Sequence, residues 1–450
     1  MIKQLFSIFS KPDGKSPMGV QGPVIIPRDQ HTISRKNISS SALKVMNRLN
    51  QAGFEGYLVG GGIRDLLLGG SPKDFDVATD ATPEQVKSLF RNSRIIGRRF
   101  RIVHVRFGRE IIEVTTFRGQ GGHSSQQVES DTGQLLRDNA YGDMRSDALR
   151  RDFTINALYY SSKDFCAYDY TNGIEDINLR QLRMIGDPIT RYTEDPVRLL
   201  RAVRFAAKLG FTIEHNTAAP ISTHGQLLEH VPPARLFEEI LKLFLGGYAT
   251  ATYQLLTDYG LLQPLFPGSH RVLDQEPSYQ RLIEEVMLST DKRIRSDKRV
   301  TPAFIYAALL WPAMHSRYQH LSQEGMTKLD AFNDACQEAI SQQLQRIMIP
   351  KRFLIPMRQI WELQWRLPNR KGKRPYRLLE HPKFRAGYDF LLLRESAGES
   401  LQGLGQWWTQ FQHADGDEQG QMLAQLEPGP TKKKRRRARK QPPAQAPESE

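Results

Sequence analysis

A chain of 450 residues, 39% of them hydrophobic, can fill two or three ordinary soluble cores, which argues against disorder along its whole length. Its 63 Lys and Arg outweigh 49 Asp and Glu, a formal charge of +14 that points to polyanionic partners without separating RNA from DNA or a membrane surface. Cys166 and Cys336 stand in no CxxC or Cys/His spacing, which argues against a disulfide framework or zinc site and fits a reducing, cytoplasmic setting; no apolar run approaches the roughly 20 residues of a bilayer span, and Met1 to Ser10 lacks a signal peptide's apolar core and cleavage site.

Residues 1–35 mix Gly, Pro, Ser and isolated charges without periodicity and are expected to be a flexible leader. From Ser40 a helical pattern places Leu43, Met46 and Leu49 on one side and closes at Gly53. Tyr57-Leu58-Val59 then reads as a strand, Gly60-Gly61-Gly62 as a turn and Ile63 to Leu68 as a helix. Lys73 to Thr79 is expected as the next strand, followed by a helix opening at Thr82-Pro83-Glu84-Gln85. Arg101 to Phe107 and Glu110 to Thr116 alternate as a hairpin turning at Gly108-Arg109. From Thr193 the apolar spacing becomes helical, through Val197, Leu200, Leu236, Ile240 and Leu255, and stays so to about Gln425. The expected fold is an α/β head on a long all-α remainder. Residues 426–450 should be a disordered basic tail, in which Lys432, Lys433, Lys434, Arg435, Arg436 and Arg437 are available to nucleic-acid phosphates.

Residues two apart on a strand share a face, so Asp74 and Asp76 in Lys-Asp-Phe-Asp-Val would aim two carboxylates at one point. Such a pair can chelate Mg²⁺, and two ions bridged by carboxylates can activate a hydroxyl and stabilise a leaving pyrophosphate. Glu113, amid apolar residues on a neighbouring strand, offers a third carboxylate, and Asp152 competes for that role. The glycines at 60–62 let backbone amides approach phosphates closely before a helix amino terminus that favours anions. A DxD or a Gly-Gly turn alone is common in proteins that bind no ligand; glycine turn, helix and DxD strand in that order are much rarer.

These residues resemble a known family. Leu58-Val59-Gly60-Gly61-Gly62-Ile63-Arg64-Asp65 with Lys73-Asp74-Phe75-Asp76 is similar to the class II form of the polymerase-β-like nucleotidyltransferases, which includes bacterial poly(A) polymerases and CCA-adding enzymes. Arg150 to Leu158 (RRDFTINAL) resembles the family's second motif and Glu194 to Phe205 (EDPVRLLRAVRF) its nucleotide-selecting motif. The resemblance implies a mixed-sheet nucleotidyltransferase head over 36–188, a helical neck over 189–250 and an RNA-binding helical body over 251–425. It also implies that Asp74 and Asp76 bind metal and that Gly61, Gly62 and Arg64 contact the triphosphate. Arg151 and Asp152 would lie against the nucleotide, while Asp195, Arg198, Arg201 and Arg204 serve the base pocket or phosphates.

Asp195 and Arg198, i and i+3, are expected on one helix face, where an acceptor and a planar donor fork could read a base edge in place of a template. Arg201 and Arg204 continue that row and would repel one another unless an anion or acidic surface lies opposite. Between the two class II activities, Ile95 to Val105, with Arg98 and Arg99, resembles the poly(A) polymerase signature. No His-Asp doublet of a fused phosphohydrolase occurs, and the 11 histidines form no ligand cluster. Arg370, Lys371, Lys373 and Arg374 are the expected RNA-contacting loop, with Trp361 and Trp365 expected in the core. The activity expected is Mg²⁺-dependent addition of AMP from ATP to RNA 3′ ends by a monomer, with RNA-degradation proteins as further partners. CCA addition to tRNA is the alternative, and an RNA clamp with an inactive head a third reading.

Overall fold

The structure is a computed structural model that describes residues 22–97, 101–119, 127–129, 135–138 and 140–426. Arg98, Arg99 and the tail cations Lys432 to Arg437 lie outside the described residues.

Local chemistry sets the first elements. β1 (Val24–Ile26) is an apolar triplet between Pro23 and Pro27. It lies inside the segment expected to be a leader, yet pairs as an edge strand, the place in a sheet where flanking prolines are tolerated. α1 (Ser40–Gln51) starts where the Ser39 hydroxyl accepts from the amides of Ser41 and Ala42, and buries Ala42, Val45, Met46 and Leu49. β2 (Tyr57–Val59) and α2 (Gly61–Leu67) follow, then β3 (Asp76–Thr79). β3 is shorter than the expected strand because β2 ends at Val59, whose partner is Asp76, so Asp74 and Phe75 precede the ladder.

α3 (Pro83–Leu89), β4 (Ser93–Ile96), β5 (Ile102–Phe107) and β6 (Glu110–Thr116) come next, the last two forming the expected hairpin. β7 (Gln127–Glu129) and β8 (Leu135–Asp138) make a separate antiparallel ladder. α4 (Met144–Arg150), β9 (Leu158–Ser161), β10 (Ala167–Asp169) and α5 (Gly173–Asn178) complete this unit. Its sheet runs β1-β10-β9-β2-β3-β6-β5-β4; only β3 and β6 pair in parallel, the remaining neighbours being antiparallel.

The chain then becomes helical, as the apolar spacing requires. β11 (Gln181–Leu182) pairs with β12 (Thr212–Ile213) around α6 (Pro188–Glu194) and α7 (Val197–Leu209). α8 (His215–His224), α9 (Pro233–Phe244) and α10 (Ala249–Asp258) lead into further helices that continue to Gly416–Ala424. One continuous apolar core joins sheet residues Leu58, Val77 and Val114 to Leu199 and Val203 of α7, Ile240 of α9 and the distant Trp361. Trp361 is fully buried as expected; Trp365 instead is 38% exposed with one face stacked on Phe332. No helix among the described residues is long and apolar enough to cross a membrane.

The row expected to hold Asp195 and Arg198 on one helix is broken. Pro196 disfavours helical backbone at the residue before it, and Asp195, with φ −148° and ψ 91°, forms the joint between α6 and α7.

Candidate active site

Asp76 opens β3 between Val59 of β2 and Glu113 of β6, so the parallel register sets two carboxylates side by side on adjacent strands. Asp74 stands exposed two residues earlier. Burial first, then Glu113 and more weakly Asp74, push the Asp76 carboxyl up to about 6 against the opposing pull of Arg151. His104 on β5 lies opposite Glu113, its Nε2 3.2 Å from Glu113 Oε1.

No three His, Cys, Asp or Glu side chains among the described residues form a ready cage. The donor set nonetheless fits Mg²⁺, which takes one or two carboxylates, keeps several waters and completes its shell with substrate phosphates. The surplus negative charge felt by Asp76 is what a dication would neutralise.

Asp152, the rival third carboxylate, is engaged elsewhere. Its Oδ2 accepts from Arg201 Nε at 2.6 Å, and its Oδ1 from the Phe153 amide at 2.8 Å and Asn156 Nδ2 at 3.2 Å. Burial alone would raise its pKa, but Arg201 and these bonds outweigh it and hold the carboxyl at about 2.

The glycine turn packs directly on this site. Gly60 has φ +72° and ψ −144°, a conformation that L side chains rarely adopt. A Cβ there would stand 3.5 Å from Arg151 Nη1 and 3.9 Å from Asp76 Oδ2, so the backbone of Gly60 lies against both charges. Gly61 and Gly62 begin α2, with Gly62 close to the Asp74 carbonyl. Arg151 is held by Asp147 Oδ2 at 3.0 Å and by the Tyr159 hydroxyl at 3.1 Å. Arg64 is buried: Nε and Nη2 donate to Asp65 Oδ1 at 2.8 and 2.6 Å, and Nη1 to Asn156 Oδ1 at 2.6 Å. It therefore braces the turn against the second motif.

At the helical side of the site, Asp195 accepts from Arg235 Nη2 of α9 at 2.8 Å. Arg198 Nη1 donates to Glu194 Oε2 at 2.9 Å and to the Arg191 carbonyl at 2.7 Å. Arg201 pairs with Asp152, and the guanidinium carbons of Arg201, Arg204 and Arg64 lie 5.1, 4.6 and 5.2 Å from the Phe205 ring centre. The acidic surface that the arginine row requires is supplied by Asp152, Glu194 and the buried Glu239 of α9.

Sequence reasoning missed Arg191, Arg235, Glu239, Asp147 and Tyr159. Local signals were present in the i, i+4 spacing of Asp147 and Arg151 and the i, i+3 spacing of Arg191 and Glu194, whereas Arg235 meets Asp195 only through the fold. Arg150 is pulled down to about 10 by burial and by Arg118, Arg191 and Arg198, with Glu194 opposing, so a cluster of cations gathers at the end of α4.

Arg370 to Lys373 lie in the connection between helices Lys351–Arg366 and Arg374–Leu379, and Arg374, expected in the loop, opens the second helix. Lys371, Lys373 and Arg374 are exposed, whereas the Arg370 guanidinium lies 5.0 Å over the Trp407 ring.

Comparison with known proteins bears on this arrangement. Residues 56–183 match the poly A polymerase head domain, residues 210–273 the "Probable RNA and SrmB- binding site of polymerase A", and residues 324–442 the polymerase A arginine-rich C-terminus. Poly(A) polymerase I of Escherichia coli O6:H1 is 51% identical over 448 residues, covering 97% of this chain and 96% of the relative. The chain belongs to the poly(A) polymerase family.

Poly(A) polymerase I of Haemophilus influenzae is likewise 45% identical over 91% of this chain and 93% of its own. The CCA-adding enzyme of Lactobacillus helveticus is 37% identical over only 53% of this chain and 59% of its own. Among solved structures, the Bacillus stearothermophilus CCA-adding enzyme in complex with CTP aligns with TM-score 0.55 at 25% identity, over 86% of this chain and 82% of its own. The Thermotoga maritima CCA-adding enzyme complexed with tRNA shares the fold, with TM-score 0.59 at 18% identity over 88% of each chain. The poly(A) polymerase family therefore has its mixed-sheet head and helical remainder in common with CCA-adding enzymes.

Proposed function

We propose that this chain is a template-independent polynucleotide adenylyltransferase, which joins AMP from ATP to RNA 3′ hydroxyls and releases pyrophosphate. The observation that carries this reading is the end-to-end match to Poly(A) polymerase I, at 51% identity over 97% of the chain, where the CCA-adding relative matches about half. The site supports the chemistry. Asp74, Asp76 and Glu113 would hold two Mg²⁺ ions, which when bound favour ionisation of the attacking hydroxyl and neutralise charge on the leaving pyrophosphate. Gly60 to Gly62 let backbone amides approach the triphosphate, and Arg151, beside Gly60 and Asp76, faces its charge.

Asp152 acts by clamping Arg201 and Arg64 by bracing the glycine turn. Asp195, fixed by Arg235, and Arg198, fixed by Glu194, read the base; Arg204 completes the arginine row. The sheet unit serves as head, the helices around 189–250 as neck and those beyond as an RNA-binding body, with Lys371, Lys373, Arg374 and the basic tail contacting phosphates. Free thiols at Cys166 and Cys336 agree with a cytoplasmic setting.

CCA addition is the second reading, supported by the fold shared with CCA-adding enzymes. Incubating the full chain with Mg²⁺, a non-tRNA RNA and each NTP separately, then sizing the products, tests both. Long tails with ATP alone are expected. No extension of that RNA by ATP, together with CTP addition to tRNA, would overturn the reading in favour of the second. Asp74→Ala with Asp76→Ala should abolish addition while keeping RNA binding.

A further inference from the structure

Arg191 joins the two halves of the site through a contact that no local motif announces. α4 ends at Arg150, and Arg151 leaves helical geometry at φ −64° and ψ 167°, so the last carbonyls of the helix need donors and favour a cation. Arg191, reaching over from α6, supplies both. Its Nη2 donates to the Arg150 carbonyl at 2.5 Å and to the Arg151 carbonyl at 2.7 Å, while its Nη1 donates to Glu194 Oε2 at 2.8 Å.

The same Glu194 oxygen accepts from Arg198 Nη1, which also donates to the Arg191 carbonyl. A closed set of bonds therefore runs from the backbone of Arg150 and Arg151 through Arg191 and Glu194 to Arg198. The Arg191 and Arg198 side chains are only 13% and 15% exposed, so water competes weakly for these bonds. Arg151, whose backbone is so tethered, lies against Gly60 and Asp76, and the next residue, Asp152, holds Arg201.

We propose that Arg191 is a positioning residue that locks the base-reading Arg198 to the Arg151 backbone, so that one guanidinium sets the base pocket and the phosphate side of the site together. This rests on the adenylyltransferase reading above. An arginine suits the task because its planar fork donates in two directions at once, to the paired carbonyls and to the carboxylate. A lysine would keep the charge and lose the geometry. The Arg191 guanidinium is repelled by Arg198 and bears in turn on Arg150, so it is held in place by Glu194, the paired carbonyls and the nearby charge of Asp152.

The test uses the full chain with Arg191→Lys, Arg191→Ala, Arg198→Lys and the Arg191→Lys/Arg198→Lys double variant. Steady-state incorporation of ATP and CTP into one RNA is measured with Mg²⁺, alongside RNA affinity and melting temperature. Arg191→Lys should raise KM for ATP and cut the preference for ATP over CTP by about tenfold or more, since small misplacements of a binding group cost this much. RNA affinity should hold.

The double variant should discriminate no worse than Arg198→Lys alone, because both act through one arrangement. Guanidinium ion added at millimolar concentration should restore part of the selectivity of Arg191→Ala, whereas ammonium should not. Equal losses for ATP and CTP with a lowered melting temperature and no rescue would assign Arg191 a merely structural role and overturn the proposal. Wild-type selectivity in Arg191→Lys would overturn it as well. A wild-type chain that adds no AMP would instead sink the underlying function.

Discussion

Arg201 Nη2 stands 2.5 Å from Asp152 Oδ2, an ion pair that closes the sheet unit onto the helices. Asp152 is held at about 2, below its ordinary value of 3.8, so it binds fewer protons folded than unfolded. Its contribution to stability is therefore complete above about pH 4 and is lost as pH falls through about 2. Asp152→Asn is expected to lower stability at pH 7 by about 2 kcal/mol, because the change leaves Arg201 without its charge partner. Urea unfolding at several pH values checks this. A variant as stable as wild type at pH 7 would show that the pair contributes nothing.

The opposite sign holds at Asp76. Its carboxyl is raised to about 6 by burial and by Glu113 and Asp74, so the folded chain without metal binds the extra proton and loses stability as pH rises from about 4 through 6. In the presence of a chelator, Asp76→Asn is expected to be more stable than wild type at pH 8, by about 3 kcal/mol, and equal to it near pH 4. Mg²⁺ should stabilise wild type at pH 8 and leave Asp76→Asn almost unmoved. Melting curves with chelator and with Mg²⁺ decide the matter; a pH-independent difference would remove the carboxylate cluster as its cause.

The contrast between these two aspartates shows which parts of the site could be read from the chain alone. Asp74, Asp76 and the glycine turn were visible because the strand, turn and helix that place them are consecutive. Glu113 and Asp152 were not separable, since one acquires its neighbour through the parallel β3 and β6 register and the other through an arginine 49 residues away. Arg235 meets Asp195 across 40 residues and was invisible for the same reason. The misplacement of Asp195 on a helix had a local cure, because Pro196 already forbade it. Trp365 shows the reverse: a tryptophan at helical spacing reads as core, and only the packing around it leaves an edge exposed.

The Arg235 contact yields a third prediction. Asp195 lies at a helix joint with its amide bonded to the Arg191 carbonyl and its carbonyl accepting from the Arg198 amide, so its backbone is fixed and the 2.8 Å bond from Arg235 helps to orient its carboxylate. Arg235→Ala is expected to reduce the preference for ATP over CTP by about tenfold, or about 1.4 kcal/mol of discrimination. RNA affinity should be unaffected, because Arg235 already serves a carboxylate. Competition between the two nucleotides for one RNA measures the ratio directly. If Arg235→Ala retained wild-type selectivity, Asp195 would be held by other means.

Lys371, Lys373 and Arg374 are exposed at a helix junction, where their charges are open to a polyanion. Each phosphate neutralised on single-stranded RNA contributes about 0.7 to the slope of log affinity against log salt. Replacing all three with alanine should therefore flatten that slope by about 2 and weaken binding chiefly at low salt. Stability should hardly change, since the side chains lie at the surface. Fluorescence titrations of a labelled RNA across a salt series provide the slope. An unchanged slope with weaker binding would mean that the substitutions disturb packing near Trp407, which Arg370 of the same connection covers, and that the three cations do not touch phosphate.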